Sequence, residues 1–436
     1  MNHCLTGLRI VIMLVLLCFL TSCLLLNPDH AAYIYPRYIA PATGDGTADN
    51  PYHIESLENL NWIASTGLYS NDPDQSTRFA SHYIQTADID ASLTASYSEN
   101  IGFFPIGRGE WENTPVRPFT GSYDGQGYTI DKLHVTRTFF IRTGFFACTD
   151  GATIKNVTLT NVNVRGDKYT GGLIGFSRNT LVSNCFVTGT VRGNTDVGGL
   201  IGRIDENSVI TSCQSSVKVA GDHYAGGLAG HQFDSVVTLS HTMGSVTGST
   251  YISGLIGRSI DSTISKSWSS STVTGDTWVG GIAGYQFMSV VTDCYSIGRV
   301  TGRDTFVGGL IGRSANSAIL NSFSTGYVSG TQLDIGGLTG KHEYGEVSNC
   351  YWNIETSGLN YSAVGEGRTT EDMTFPYAAN TYMEWDFTEI WRTDPDHLMN
   401  DGYPYLVYNP PPQALSGKNM TISHKPVSED IWRNNR

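Results

Sequence analysis

The chain has 436 residues, of which 15% are charged and 49 are Gly, and its formal net charge at pH 7 is −13. The negative charge argues against binding to nucleic acid or to an anionic lipid surface, and the low charge content is unlike that of a charge-driven disordered protein. The length exceeds that of one compact core but is ordinary for a solenoid, which grows by adding coils.

Residues 1–23 are predicted to be a lipoprotein-type signal peptide. Arg9 precedes the apolar run Ile10 to Leu20, which is too short to span a bilayer alone. The following Leu20-Thr21-Ser22-Cys23 resembles a bacterial lipobox, whose Cys is acylated after cleavage, so we expect lipidation at Cys23 and a lipid anchor in the membrane. The alternative is an uncleaved anchor, because Leu24-Leu25-Leu26 prolongs the apolar run to about the minimum spanning length. In both cases the body of the protein is exported, and Leu at residue 24 favours the bacterial outer membrane or cell surface.

Residues 24–43 are expected to form a linker, and residues 44–137 an N-terminal cap with the first coils and one short helix. Ser56 can cap a helix that continues to Ala64 with one apolar face. Strands are predicted at 83–89, 103–106 and 119–135, the last broken at 124–127.

Residues 138–350 carry seven copies of a glycine-rich block such as Gly171-Gly172-Leu173-Ile174-Gly175. The second residue of each block falls at 172, 199, 227, 254, 281, 309 and 337, so the period is 27 or 28 residues. Each period contains three short strand-like pieces separated by Gly or Asn turns. This pattern predicts an all-β, three-sided parallel β-helix with stacked coils about 4.8 Å apart, right-handed as parallel crossovers usually are.

Residues 351–408 are rich in aromatic side chains and are predicted to form a C-terminal cap, because the open end of a solenoid is a bare sheet edge. Residues 409–436 are expected to be a flexible tail. Four of the eight Cys residues share one column of the repeat with Ser, which indicates a small inward-facing site. Cys185 and Cys213 of that column lie in adjacent coils and can just pair.

The glycine-rich blocks resemble the GLUG repeats of bacterial surface proteins. Gly44 to Pro51, Phe119 to Gly127, Cys350-Tyr351-Trp352 and Trp385-Asp386-Phe387 are similar to segments that flank such repeats. The resemblance covers roughly residues 44–408. It implies an exported β-solenoid of the kind found in adhesin-like proteins and, as an accessory region, in some secreted peptidases, and it brings no catalytic residues with it.

A search for reactive constellations predicts no catalytic residue, metal site or cofactor. His342-Glu343-Tyr344-Gly345-Glu346 begins like a zinc-binding helix, but it has Glu where the second His is needed and it follows a strand. The turn column contains both carboxylates and uncharged polar residues, and the Asn and Ser dilute its charge; its members are Asp167, Asn194, Asp222, Ser249, Asp276, Asp304 and Gln332. It is best explained by short polar side chains that bond their own backbone in tight turns.

Two columns of the repeat are candidates for ligand binding. Three residues before the second Gly of the blocks stand Tyr224, Tyr251, Trp278 and Phe306 in successive coils, with Tyr169, Asp196 and Asp334 in the others. If they point outward, they form a flat ladder suited to sugar rings or to a protein partner. Four residues after the same Gly, a cationic and aromatic column contains Arg203, His231, Arg258, Tyr285 and Arg313, with Phe176 and Lys341 at its ends. That column suits an anionic glycan or, equally, intramolecular stacking of Arg on aromatic rings.

These features predict a membrane-anchored, non-catalytic β-solenoid that acts as a surface adhesin, binding module or spacer. The expected partners are a glycan or a host or cell-surface protein, with no nucleic acid and with the chain as a monomer. The alternative is a polysaccharide-degrading β-helix enzyme, a lyase or a hydrolase, which requires a cluster of carboxylates on one solenoid face.

Overall fold

The computed structural model describes residues 35–65, 74–98, 100–107 and 116–412. The predicted signal peptide, Cys23 and the residues from 413 onward lie outside this part of the chain, as does most of the predicted linker. No helix in the described ranges is long and apolar enough to span a bilayer.

Each repeat forms one coil of a β-solenoid of about ten turns, so the predicted all-β fold with parallel sheets is confirmed. In the coil that begins at Lys168 the strands are Lys168–Gly171, Ile174–Arg178, Leu181–Ser183 and Phe186–Arg192, which belong to four sheets that we call I, II, III and IV. Each strand pairs in parallel with the strand one repeat later. The handedness stays a prediction.

Each repeat contributes strands to four sheets, whereas the sequence predicted three strands per coil. The glycine-rich block, interpreted as a single strand-like piece, bends in its middle, because Gly171 ends a strand of sheet I and Ile174 begins one of sheet II. The bend presses successive coils together. A Cβ on Gly199 would lie 2.2 Å from the carbonyl oxygen of Gly227 in the next coil, so this position requires Gly.

Sheet I consists of Lys168–Gly171, Thr195–Gly198, His223–Gly226, Thr250–Ser253, Thr277–Gly280, Val307–Gly308 and Ile335–Gly336. Sheet II consists of Phe146–Asp150, Ile174–Arg178, Ile201–Asp205, Ala229–Phe233, Ile256–Ile260, Ala283–Phe287, Ile311–Ala315 and Thr339–Glu343. Sheet III consists of Tyr52–Ile54, His82–Gln85, Ser122–Asp124, Thr153–Lys155, Leu181–Ser183, Val209–Thr211, Val236–Thr238, Thr263–Ser265, Val290–Thr292, Ala318–Leu320 and Val347–Ser348. Sheet IV consists of Ile89–Asp90, Thr129–Asp131, His134–Thr136, Thr158–Arg165, Phe186–Arg192, Gln214–Ala220, His241–Thr247, Trp268–Ser269, Thr272–Gly275, Tyr295–Ser296, Val300–Gly302, Phe323–Ser324, Val328–Ser329, Tyr351–Asn353 and Glu366–Arg368.

The interior of the solenoid is filled by columns of apolar side chains, one from each coil. The Leu or Ile of the glycine-rich block is fully buried throughout, at Leu173, Leu200, Leu228, Leu255, Ile282, Leu310 and Leu338. The Cys and Ser column also faces inward. Its Cys185, Cys213, Cys294 and Cys350 are buried free thiols, so the possible pairing of Cys185 with Cys213 is not formed.

The N-terminal region continues sheet III, because Tyr52–Ile54 pairs with His82–Gln85, which pairs with Ser122–Asp124. The predicted helix is present as Leu57–Ala64, and the side chain of Ser56 accepts a hydrogen bond from the Asn59 N–H. A second helix, Asp74–Ala80, and a 3₁₀ helix, Ser92–Ser96, were not predicted. Of the predicted strand at 103–106, only a bridge between Ile106 and Phe146 remains.

The C-terminal end of the solenoid is closed by residues 352–368. A Cβ on Gly337 would lie 2.0 Å from Cδ1 of Trp352, so this indole lies directly on the last glycine-rich block. The Gly337 N–H donates to the Tyr361 carbonyl at 2.9 Å, and the Ala363 N–H donates to the Thr339 carbonyl at 3.0 Å. This region contains the short helix Ile354–Ser357, and a second short helix, Thr370–Met373, follows it.

The sequence predicted that all of residues 351–408 cover the end of the solenoid. Residues 369–409 instead lie along the outer face of sheet IV. We call this segment the strap. It covers an outward column of stacked rings, in which His241 and Trp268 are 4.4 Å apart and Tyr295 and Phe323 are 5.0 Å apart. Trp391 of the strap lies 6.0 Å from the rings of both Tyr295 and Phe323. Without the strap these rings would face water, which is the physical reason for its position. Its strands Trp391–Arg392 and Tyr405–Leu406 pair antiparallel with each other.

Asn409, predicted to begin a flexible tail, is buried and anchors the end of the strap. Its side-chain oxygen accepts from Nδ1 of His241 at 2.8 Å, and its amide donates to the carbonyls of Ser240 and Lys266 at 3.1 and 3.2 Å. Its own carbonyl accepts from the Trp268 indole N–H at 2.9 Å. The main-chain acceptors of two coils therefore hold this residue in place.

Candidate functional site

The two candidate columns lie side by side in the structure, on sheets I and II, at either side of the bend in the glycine-rich block. We call the surface that they form the aromatic–cationic ridge. Its members are Tyr169, Phe176, Arg203, Tyr224, His231, Tyr251, Arg258, Trp278, Tyr285, Phe306, Arg313 and Lys341. Except for the buried His231, all of these side chains are half-buried. The sequence placed the two columns seven residues apart but gave no sign that they meet.

The sheet I column of the ridge has an unusual backbone. Tyr224, Tyr251, Trp278 and Phe306 all have positive φ, between 52° and 63°. This column position takes no part in the parallel pairing of sheet I. In the first coil, for example, Lys168 pairs with Thr195 and Thr170 with Val197, and Tyr169 between them is unpaired in the ladder. A left-handed conformation costs a residue with a Cβ roughly 1–2 kcal/mol, and Gly or Asn ordinarily takes it. The ridge thus places large aromatic residues where the backbone disfavours them.

The rings of this column stack face to face along the solenoid axis. The ring centroids of Tyr224 and Tyr251 are 4.7 Å apart, those of Tyr251 and Trp278 4.4 Å, and those of Trp278 and Phe306 5.9 Å, with interplanar angles of 24°, 9° and 11°. The faces of the rings therefore cover one another. A sugar cannot lie flat on these faces, as the predicted ladder would require, and the stack offers the ring edges to a ligand.

The cations of the sheet II column lie over these rings. The guanidinium of Arg258 is 5.5 Å from the ring of Tyr224 and 5.9 Å from that of Tyr251, and Arg313 is 5.6 Å from the ring of Phe306. Arg203 lies in the same way over Tyr169 at 5.7 Å. Of the two uses that the sequence left open for this column, intramolecular stacking is therefore present, and it holds the cations in fixed positions.

Most of the charges on the ridge are paired. Arg203 Nε lies 2.9 Å from Asp205 Oδ1, Arg313 Nε 3.1 Å from Glu343 Oε2, and Lys341 Nζ 3.3 Å from Glu343 Oε1. His231 Nδ1 lies 3.4 Å from Asp196 Oδ1. The hydrogen bond from Arg313 is the main reason that the pKa of Glu343 lies below its ordinary value.

Arg258 is different, because no carboxylate among the described residues pairs with it. Within the same part of the chain, the hydroxyl groups of Tyr224, Tyr251 and Tyr285 make no hydrogen bond to another residue. The middle of the ridge therefore presents one unneutralised guanidinium and several free donors.

The described residues contain no group of three or more His, Cys, Asp or Glu side chains that are placed to hold a metal ion. His342 and Glu343 lie on the strand Thr339–Glu343 of sheet II. His342 Nδ1 is 3.1 Å from Ser314 Oγ, and Glu343 pairs with Arg313. These side chains therefore serve contacts between coils.

Comparison with known proteins gives similarity over parts of the chain. The model of the GLUG motif matches residues 166–192. Halomucin of Haloquadratum walsbyi is 39% identical over 181 residues, which are 41% of this chain and 2% of halomucin. The immunoglobulin A1 proteases of Streptococcus sanguinis and Streptococcus pneumoniae are 29% and 28% identical over 25% and 34% of this chain, and the matches span 6% and 7% of their lengths.

Two solved structures also match parts of this chain. One is described as a candidate immunoglobulin A1 protease from Bacteroides ovatus, with 17% identity and a TM-score of 0.39 over 84% of this chain and 95% of its own. The other, an IgA1 protease, has 16% identity and a TM-score of 0.42 over 73% of this chain and 23% of its own. The resemblance to GLUG repeats is thus confirmed, and the chain carries this motif within an all-β solenoid that is similar to segments of much longer proteins.

Proposed function

We propose that this chain is an exported, non-catalytic β-solenoid that acts at a cell surface as an adhesin-type binding module, with the aromatic–cationic ridge as its binding surface. The observation that carries the proposal is the row of aromatic residues in left-handed conformation, from Tyr224 to Phe306. Backbone strain of this kind concentrates at functional sites, where the side chain's role outweighs its cost. A surface β-helix is also consistent with the relatives of the chain.

The chemistry of the ridge favours an acidic glycan as the partner. The edge of an aromatic ring carries positive partial charge, and it is the edges that the stack leaves to a ligand. The phenol hydroxyls of Tyr251 and Tyr285 and the guanidinium of Arg258 add hydrogen-bond donors. A ligand rich in carboxylate, sulfate or hydroxyl oxygens supplies the matching acceptors. A host or cell-surface protein with an acidic surface is the competing partner.

The test is retention of the full chain on an array of neutral and acidic glycans. We expect acidic glycans to be retained, and we expect Arg258→Ala to weaken binding by about tenfold, since one charge-assisted hydrogen bond is worth on the order of 1.5 kcal/mol. The matched control is Arg299→Ala, because Arg299 also lies over a ring, that of Tyr327 at 4.5 Å, but directly before the sheet IV strand Val300–Gly302 and outside the ridge. Equal binding by wild type, Arg258→Ala and Trp278→Ala would leave the ridge with a structural role only.

Anchoring through a lipid at Cys23 is part of the proposal and has its own test. Cells that express the chain are grown with radiolabelled palmitate and separated into membrane and soluble fractions. Label on the wild type and none on Cys23→Ala is expected. Label on neither, with both chains in the membrane fraction, would favour the uncleaved anchor instead.

A catalytic role is the second candidate, because the streptococcal relatives are named immunoglobulin A1 proteases. The matches span 6% and 7% of those proteins, so the solenoid is better assigned to positioning a ligand than to cleaving it. Incubation of the chain with immunoglobulin A1 and with acidic polysaccharides tests both peptidase and lyase or hydrolase activity. Cleavage of either substrate, abolished by a single Asp→Asn substitution, would replace the non-catalytic proposal.

A further inference from the structure

A groove of about 870 Å³ lies at the corner between sheets IV and I, on the coils that precede the middle of the ridge. It crosses five coils, about four coil spacings or ~19 Å along the axis. The glycines at four of the corners form its floor, and the residues on either side form its walls. The lining is Thr138, Arg165, Gly166, Asp167, Arg192, Gly193, Asn194, Ala220, Gly221, Asp222, Thr247 and Gly248.

One wall of the groove carries two arginines directly opposite each other. Arg165 and Arg192 are register partners in adjacent strands of sheet IV, and both are exposed. Neighbouring strands are about 4.8 Å apart, and like charges in directly opposite positions destabilise a sheet. Neither guanidinium has a carboxylate partner within the described part of the chain. The fold thus keeps two cations together without neutralising them, and an anion between them would relieve the repulsion.

The other wall carries acceptors that are equally free. The turn residues Asp167, Asn194 and Asp222 were expected to bond their own backbone, but in the described structure their side chains make no hydrogen bond. The main chain at this corner is satisfied between coils instead: the Asn194 N–H donates to the Asp167 carbonyl at 2.7 Å, and the Gly193 N–H donates to the Ala220 carbonyl at 3.0 Å. These polar side chains are therefore not needed for the turn itself.

The lining decides the class of ligand. It offers guanidinium, carboxylate, amide and hydroxyl groups, whereas Ala220 is its one apolar side chain. A peptide would find no surface for apolar side chains. The carboxylates of Asp167 and Asp222 disfavour a nucleic acid. A sugar chain donates hydroxyl hydrogens to such carboxylates, and an acidic substituent on it can bridge two guanidinium groups.

We propose that this groove is a binding site for an acidic oligosaccharide, with a carboxylate or sulfate group held between Arg165 and Arg192 and sugar hydroxyls donating to Asp167 and Asp222. The site is distinct from the aromatic–cationic ridge and does not depend on ligand binding there.

The experiment is calorimetric titration of the full chain with a galacturonic acid tetramer, a neutral galactose tetramer and inorganic sulfate. We expect the acidic tetramer to bind and the neutral tetramer to bind at least tenfold more weakly. The double variant Arg165→Ala/Arg192→Ala is expected to lose at least tenfold in affinity for the acidic tetramer, because charge-assisted hydrogen bonds are removed. Both residues are exposed, so the double variant is expected to fold. Arg303→Ala is the matched control, since Arg303 is an exposed arginine near the same corner and pairs with Asp276 at 3.4 Å.

Thermal unfolding gives a second measurement. Sulfate is expected to raise the melting temperature of the wild type and of Arg303→Ala more than that of the double variant. Equal affinity of the double variant and the wild type for the acidic tetramer, or equal affinity of the acidic and neutral tetramers, would overturn the inference. Loss of binding in Arg258→Ala but not in the double variant would place the ligand on the ridge. That result would also overturn the inference. Binding of sulfate with no gain from the sugar chain would overturn the assignment to an oligosaccharide.

Discussion

Asn409→Ala tests whether the strap is held to the side of the solenoid as the structure shows. The substitution removes three side-chain hydrogen bonds of 2.8–3.2 Å, to His241 and to the carbonyls of Ser240 and Lys266. Each such bond contributes about 1 kcal/mol net, so the end of the strap should lose about 3 kcal/mol of stability against local opening. That loss corresponds to an opening equilibrium roughly a hundredfold larger.

Native-state hydrogen exchange read by mass spectrometry measures this opening peptide by peptide. We expect exchange in the peptides that cover 385–409 to accelerate by about two orders of magnitude in Asn409→Ala, with the interior coils unchanged. The control is Tyr408→Ala, because Tyr408 is adjacent but 52% exposed. Its effect should stay within about 0.5 kcal/mol. Equal exchange in the two variants, or acceleration spread evenly over the solenoid, would refute the argument.

Three further predictions concern the described core. His241 has a pKa of about 4 against an ordinary 6.5, chiefly because it is buried. Between these two pKa values the unfolded chain therefore binds a proton that the folded chain does not. The free energy of unfolding should fall by about 3 kcal/mol as the pH drops from 6.5 to 4. If His241→Phe shows the same pH dependence of the free energy of unfolding as the wild type, His241 is not its source. Burial raises the pKa of Cys148 and of Cys350 to about 12, so neither thiol should react with maleimide at pH 8 until denaturant is added. Peptide mapping that shows rapid labelling of either of these two thiols in the native chain would contradict this. Leu228→Ala should lower the free energy of unfolding, measured in urea, by about 2–5 kcal/mol because Leu228 is fully buried. Thr292→Ala, on the outer face of sheet III, should change this free energy little. Equal losses in the two variants would argue that Leu228 does not belong to an inward-facing column.

The repeat pattern sufficed to predict the coil, because one glycine-rich block per 27 or 28 residues fixes both the period and the register. Ser56 likewise predicted the start of its helix. The number of strands per coil was wrong, since a run such as Gly171 to Gly175 looks like one strand until its bend is seen. The bend depends on contacts with the next coil, and those contacts cannot be read from one repeat.

The candidate site was predicted as two separate columns, and their residues were identified correctly as repeating positions. Whether the columns meet depends on where the chain turns between sheets I and II. The left-handed backbone at Tyr251 and Trp278 had no signal in the sequence, because these residue types rarely adopt it.

The position of the strap was also not predicted, although the sequence contains a pattern that indicates it. His241, Trp268, Tyr295 and Phe323 recur one residue after the Cys and Ser column, and such a stripe on an outward face needs a cover.

The central claim is that successive repeats are rungs whose main chains bond to the rungs above and below. Spin labels on the outer face of sheet III measure this directly, since the register runs through Ser183, Thr211, Thr238, Ser265, Thr292, Leu320 and Ser348. For cysteine substitutions paired with Ser183, the mean distances to Thr292, Leu320 and Ser348 should be about 19, 24 and 29 Å, a rise of ~4.8 Å per coil. Distances that do not rise with the number of coils would contradict the account.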